Sequence, residues 1–351
     1  MEYGKKEIFG MKMKDKNLMN EDDIRPKNLM AGQQKAMRED INWLKNKSKA
    51  FIRVNCPACN SDNSIYLYKK YYLTHVSCKN CGTQYVNPRP TKNILKDFYK
   101  NSVNYAYWAK FIFSASADVR KEKIFKPRAQ FLIDKLKKKK IKGKLLEVGA
   151  AYGYFCEEIK KINYFDEIIG IEPTPDLAGI LKSKNISVIE SSYEEAKLRD
   201  KVDVIVNFEV IEHLFNPKEF VQWCFSNLNP GGCLYLTCPN IGGFETTVLG
   251  KESGTIDHEH INLFNTNSIS NLIKSVGFEK VTVKTPGVLD FDIVKQSLIS
   301  KKINKDRLGQ FLLKLLDSDS LEEEKKFQKY LIKSNNSSHM MVIAYKPKDI
   351  N

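Results

Sequence analysis

Four cysteines stand in two Cys-x-x-Cys pairs, Cys56/Cys59 and Cys78/Cys81, separated by 18 residues rich in tyrosine. A turn-forming residue follows each pair, Asn60 after the first and Gly82 after the second. Two knuckles that each offer two thiolates are the pattern of a zinc ribbon, in which a hairpin closes the metal tetrahedron. An iron–sulfur centre and two unrelated reduced pairs are the other readings. An all-sulfur set leaves no open position, so the site is expected to be structural. Further on, KLLEVGAAYGYF (Lys144 to Phe155) runs an apolar segment through Glu147 into Gly149 and Gly153. Glycines let backbone approach a ligand closely, and the helix N-terminus behind them attracts anions. Glu172 ends the next apolar run, IIGIEPT, at the distance where a carboxylate can accept bonds from ribose hydroxyls. The G-x-G-x-x-G of a dinucleotide site is absent, which points to a nucleoside ligand without phosphates.

These residues need elements to position them. Strands are expected at Lys144–Val148, Glu167–Ile171, Ser187–Ile189, Val202–Phe208, Gly232–Thr237, Glu279–Lys284 and His339–Tyr345, alternating with helices at Tyr154–Ile162, Pro175–Lys184, Pro217–Leu228 and Thr266–Val276. Continuous apolar strands alternating with helices predict an α/β fold, a parallel sheet covered on both faces. Residues 1–50 read as an extension, partly disordered, with a helix over Gln33 to Leu44; 51–90 as the ribbon; 91–143 as a helical linker or cap with helices at Thr91–Tyr99 and Lys126–Lys139; and 144–351 as the main domain. A helical insertion over about 287–333 has Leu298, Ile299, Phe311, Leu312, Leu315 and Leu316 on its apolar face. In the cap, Tyr105 or Tyr107 could line a pocket mouth.

The net charge of +15 is uneven, with 21 basic and 5 acidic residues falling in 51–145. That excess is either a surface for an anion, such as a nucleotide-sugar diphosphate, an acidic glycan or nucleic acid, or a solvated lysine-rich face. No apolar run reaches the length of a membrane span, and the start has no secretory signal, so a cytoplasmic protein with reduced cysteines is expected.

Taken together, LLEVGAAYGYF, IIGIEP, VNFEVIEHL, LNPGGCLYLTCPN and HINLFNTNSISNLIKSVGF resemble, in this order, the class I S-adenosylmethionine-dependent methyltransferases. The resemblance implies a Rossmann-like seven-stranded sheet and S-adenosylmethionine as cofactor. It places Gly149 and Gly153 against the methionine part and Glu147 at its amino end. Glu172 would take the ribose hydroxyls, Ser192 and Tyr193 would lie at the adenine, and Asn207 and Phe208 beside the methionine chain. The family usually has Asp at Glu147 and glycine at Ala151. The cysteine module with its VNPRP exit is similar to the front of enzymes that modify sugars, including sugar C-methyltransferases, whose further C-terminal domain finds no room here.

The implied function is O-methylation of a sugar or nucleotide-linked sugar in surface glycan biosynthesis. Alternatives are C-methylation of a deoxysugar, methylation of RNA or protein, and a non-catalytic binding module. A hydroxyl acceptor must lose a proton. The candidates lie in DHEHINLF, where His260, Glu259 and His258 are the catalytic residues expected, with Asp257 beside them; the cluster could alternatively bind a divalent metal. His213 in IEHL reads as a structural residue of its loop, and His75 as a strand residue.

Overall fold

In the computed structural model, residues 19–300, 310 and 321–348 are described. The apolar runs form strands β1 Ser64–Lys70, β2 Leu73–Cys78, β3 Gln84–Val86, β4 Lys144–Val148, β5 Glu167–Ile171, β6 Ser187–Ile189, β7 Val202–Phe208, β8 Leu228–Pro239, β9 Asn262–Leu263, β10 Glu279–Lys284 and β11 His339–Tyr345. Seven of them make one sheet in the order β10-β11-β8-β7-β4-β5-β6. The strands from β8 to β6 are mutually parallel, as the alternation of strand and helix predicts. Consecutive apolar residues in β4 and β7 are buried because each face meets its own core. Leu146, Val148 and Ile205 pack with Phe220, Ile269 and Leu272. Leu145, Val204 and Val206 pack with Leu132, Phe155 and Ile159.

The expectation of a wholly parallel sheet fails at β11, which runs antiparallel to both β8 and β10. The reason is the end at which the chain enters it. Lys284 at the end of β10 pairs with Met341, and His339 at the start of β11 pairs with Pro239 at the end of β8. β10 therefore ends, and β11 begins, at the C-terminal end of the sheet, so β11 enters from that end. Helices Asp290–Ile299 and Leu321–Lys333 belong to the chain between them. Leu298 is buried there and Ile299 is exposed; Phe311, Leu312, Leu315 and Leu316 lie outside the described residues.

The cysteine segment does not fold as a separate bead. β1, β2 and β3 form an antiparallel sheet, and β9, which the sequence did not announce, extends it through Gln84↔Leu263 and Tyr85↔Asn262. Arg89, from the VNPRP exit, locks this junction. Its guanidinium is 1% exposed. It donates to the carbonyls of Val86 (3.2 Å), Phe215 (3.0 Å) and Ile261 (3.1 Å) and to Oδ1 of Asn262 (3.0 Å). Burial pushes its pKa down to about 10, yet the charge stays solvated by these acceptors. Asn262 in turn donates to the Leu214 carbonyl at 2.7 Å.

The N-terminal helix is longer than expected, Lys27–Lys47, and its buried stripe includes the polar Gln33 and Asp40. Asp40 accepts from Ser102 Oγ (2.5 Å) and from the amides of Val103 (2.9 Å) and Asn104 (3.1 Å), which open the helix Val103–Tyr107. Tyr107 spends its hydroxyl on the Leu29 carbonyl at 3.0 Å.

Replacing Arg89 by Ala should leave several buried carbonyls without a donor and lower stability by roughly 3 kcal/mol. Arg89→Lys should recover little, because an ammonium does not span the fork. Denaturant unfolding reads both; an Arg89→Ala loss under about 1 kcal/mol would remove the locking role.

Candidate active site

A large cavity of about 2570 Å³ opens at the C-terminal ends of β4, β5 and β7. It exceeds the ~300–1,000 Å³ usual for one small ligand, and so has room for two. One end is built by the glycine turn after β4. Gly149 has φ +72°, and a Cβ there would stand 2.8 Å from Val210 Cγ2. Gly153, at φ +66°, is closed off by Leu181. Between them Ala151 takes φ +45°, a left-handed conformation that strains a residue with a Cβ. The strain accompanies a bond, since the Ala151 amide donates to Glu172 Oε2 at 2.8 Å. Thr174 N donates to Glu172 Oε1 at 3.0 Å. Glu172 is buried, which raises its pKa. Each of its oxygens accepts one backbone hydrogen bond and keeps capacity for another. Glu147 lies behind the turn, accepts from the Cys156 thiol at 2.9 Å, and is pushed by burial up to about 8.

Of the residues expected at a cofactor, Glu147, Gly149, Glu172, Ser192, Tyr193 and Phe208 line the cavity, while Gly153 and Asn207 lie outside its lining. Asn207 is fully buried, and its amide has no hydrogen-bond partner among the described residues. Phe208 packs on Phe155 at 4.7 Å between ring centroids, with the Arg128 guanidinium 5.0 Å over its ring. Beside it Glu209 accepts from Thr237 Oγ1 (2.6 Å) and His339 Nε2 (2.7 Å). Burial opposes ionisation of Glu209, but His339 and Arg128 outweigh it and hold the carboxyl well below its usual range.

The other end is the DHEH stretch, held in place by the β3–β9 pairing next to it. Asp257 Oδ1 accepts from the amides of Glu259 (2.9 Å) and His260 (2.8 Å), folding the stretch into a tight turn. Glu259 Oε1 accepts from Asn104 Nδ2 at 2.5 Å and lies 3.6 Å from His258 Nε2; burial raises its pKa. His258 is sealed under the N-terminal helix, 3.8 Å from Asp40. Burial opposes its charged form, but Asp40 and Glu259 raise its pKa. The Tyr71 ring meets it edge-on, delivered by a β1–β2 hairpin whose two turn residues, Tyr71 and Tyr72, both have positive φ. His260 donates from Nδ1 to the Thr255 carbonyl at 2.8 Å, which leaves Nε2 unprotonated in the neutral ring.

His213 is no bystander in its loop. Its ring centroid is 4.7 Å from that of His260, its Nδ1 is 3.0 Å from the Tyr99 hydroxyl, and its Nε2 faces Glu212 Oε1 at 4.0 Å. Burial, reinforced by Glu209, pushes Glu212 up to about 8, and burial pulls His213 down to about 3. Glu212, Asp40 and Asn104 go unassigned in the sequence, and His213 reads there as structural. One signal was available: the Glu-His dyad occurs twice, at Glu212-His213 and Glu259-His260. Tyr105 lines the cavity, and Tyr107 does not.

The four cysteines converge. Their sulfurs all lie within 4.8 Å of one another, with Cys56···Cys81 at 3.6 Å and Cys59···Cys78 at 3.5 Å. A tetrahedral zinc with ~2.3 Å bonds needs edges of roughly 3.8 Å, so the set fits that ion. Asn60 and Gly82 both take positive φ and close the two knuckles.

Residues 118–283 match the model of a methyltransferase-domain family. This chain contains a class I S-adenosylmethionine-dependent methyltransferase domain. It is similar to a probable S-adenosylmethionine-dependent methyltransferase of Mycolicibacterium smegmatis, 29% identical over 138 residues, 38% of this chain and 51% of that one. It is also similar to the mitochondrial ubiquinone biosynthesis O-methyltransferase of Saccharomyces cerevisiae, 30% identical over 30% of this chain and 38% of that one. The chain thus spans about half the length, or less, of these relatives. A solved methyltransferase from Archaeoglobus fulgidus aligns over 62% of this chain and 94% of its own, at 18% identity and a TM-score of 0.41. Among the described residues no helix is long and apolar enough to cross a membrane.

Ala151→Gly should relieve the turn and raise stability by up to ~1 kcal/mol, read by denaturant unfolding. A loss of stability would show that the methyl group packs better than the backbone suffers.

Proposed function

We propose that this chain binds S-adenosylmethionine at the β4–β5 end of the cavity and methylates a hydroxyl of a small polyhydroxylated acceptor, a sugar or nucleotide-linked sugar, at the other. The observation that carries this reading is the shared cavity. The Glu172 glycine turn and the Glu259/His260 stretch line the same space, and the domain match covers both. The cofactor supplies a methyl group already activated on a sulfonium. Glu172 has acceptor capacity for two ribose hydroxyls. The Gly149 backbone leaves no side chain between the turn and the ligand. Glu147 stands by the amino end, and Ser192 and Tyr193 border the adenine. Glu259 is the group we assign to take the acceptor proton. It lines the cavity, Asn104 fixes one of its oxygens, and burial makes it a stronger base than an exposed carboxylate.

The four cysteines would hold a structural zinc that stiffens the β1–β3 sheet and, through β9, the loop bearing Glu259. The lysine excess of 51–145 favours the solvated-face reading over nucleic acid. Lys92, Lys96, Lys121, Lys123, Lys142 and Lys144 each pair with an acid from another segment, as in Lys96–Glu195 at 2.6 Å and Lys144–Asp200 at 2.9 Å.

Calorimetric titration of S-adenosylhomocysteine should show Glu172→Ala weaker by at least ~10-fold; equal affinity would sink the ribose assignment. With methyl-labelled cofactor and a panel of sugars and nucleotide sugars, an acceptor should gain one methyl on oxygen. Glu259→Gln should then slow turnover roughly 10²-fold with cofactor affinity intact, and unchanged turnover would exclude it as base. Freshly purified protein should carry about one zinc per chain, lost in Cys78→Ser; metal-free wild type would refute the zinc assignment.

A further inference from the structure

Glu212 is 1% exposed, and neither oxygen of its carboxylate has a hydrogen-bond partner among the described residues. A buried acid left in this way is costly, so its persistence asks for a ligand. Two imidazoles face it. His260 has its Nδ1 hydrogen committed to Thr255, which in the neutral ring leaves the Nε2 lone pair for a ligand. His213 is placed to donate Nδ1–H to the Tyr99 oxygen, leaving its Nε2 free toward Glu212; Tyr99 then passes its own hydrogen to the Glu259 carbonyl at 3.5 Å. One ligand atom from each of the three residues can lie within 4.8 Å of the others. Both histidines thus have the outer hydrogen bond that fixes tautomer and ring orientation in metal-bound imidazoles.

We propose that Glu212, His213 and His260 form a site for one divalent transition-metal cation of the manganese, iron, cobalt or zinc class, at the acceptor end of the cavity. Two imidazole nitrogens and one carboxylate suit such ions better than magnesium or calcium, which prefer all-oxygen sets. Three protein ligands leave positions open toward the cavity, which His213 and His260 line. The neighbouring trio Asp40, His258 and Glu259 is also close-set, but Asp40 already accepts three hydrogen bonds and Glu259 one, so those carboxylates are satisfied without an ion. Resting on the methyl-transfer reading, the cation's part is to lower the pKa of an acceptor hydroxyl. The O–H bond then breaks with its electron pair kept on oxygen, and the proton passes to Glu259. Cation binding itself does not depend on that reading.

The test uses the full chain, freed of exchangeable cations with a mild chelator and titrated with Mn2+ alone, followed by electron paramagnetic resonance. Manganese is a poor ion for four thiolates, so the cysteine site does not interfere. One saturable Mn2+ per chain is expected. Glu212→Gln and His213→Ala should weaken it at least ~100-fold, and Asp40→Asn should leave it unchanged. Glu212→Gln keeps the side chain's shape and removes only its charge, so it carries the test if His213→Ala unfolds. No saturable site, binding that survives Glu212→Gln, or binding that Asp40→Asn abolishes would each overturn the proposal. S-adenosylhomocysteine affinity, measured on the same samples, reads the cofactor assignment separately. Mn2+ bound without it would refute the methyltransferase reading alone, and the reverse would refute the cation site alone.

Discussion

A buried guanidinium holds the two halves of this molecule in register. Arg89 sits where the cysteine-bearing sheet, the loop after β7 and the loop before β9 meet, and it bonds an acceptor from each. Among the described residues no carboxylate neutralises it. Its charge is instead solvated by carbonyl and amide oxygens, which are fixed only if all three segments are in place. Such a centre is unforgiving: displace one segment and the charge loses part of its solvation in a dry interior. The outcome is that β9 can pair with β3 and the DHEH turn is held over the open end of the large sheet.

The interior that this arrangement encloses is acid-rich. Glu147, Glu172, Glu212 and Glu259 are at most lightly exposed, and none has a lysine or arginine within ion-pair distance in the described structure. Burial raises the pKa of all four. Of the lysines that line the cavity, Lys92, Lys96 and Lys123 pair with Glu194, Glu195 and Asp23. Buried carboxyls without a cationic side chain at hand regain their charged form most readily beside a ligand that brings positive charge. That preference agrees with a sulfonium cofactor at one end and a cation at the other.

Much of the fold was legible because its signals are local. The apolar runs of β4, β5 and β7, the glycine turn and the cysteine knuckles each depend on residues within a few positions of one another. Glu172 could be singled out as a candidate from its place at a strand end, where side chains of a parallel sheet open onto the ligand crevice, and it lines the cavity. What escaped was non-local. β11 runs antiparallel because the chain leaves β10 and enters β11 at the same end of the sheet, and hydropathy is blind to which end that is. Tyr105 and Tyr107 are close in sequence, yet only the first faces the cavity, since the second is claimed by Leu29 on the N-terminal helix.

By itself, then, the sequence determined the α/β sheet, the turn beside Glu172 and the convergence of Cys56, Cys59, Cys78 and Cys81, all written in spacing and periodicity. Only the tertiary structure decided the acceptor end. It joined Glu212-His213 to His260 across 46 intervening positions, set Glu259 against Asn104, and slid Asp40 beneath His258. The physical reason is that these contacts are made by packing an N-terminal helix against the cysteine sheet and two loops, which one buried arginine ties together. No pattern within any single segment encodes which side chains that packing brings face to face.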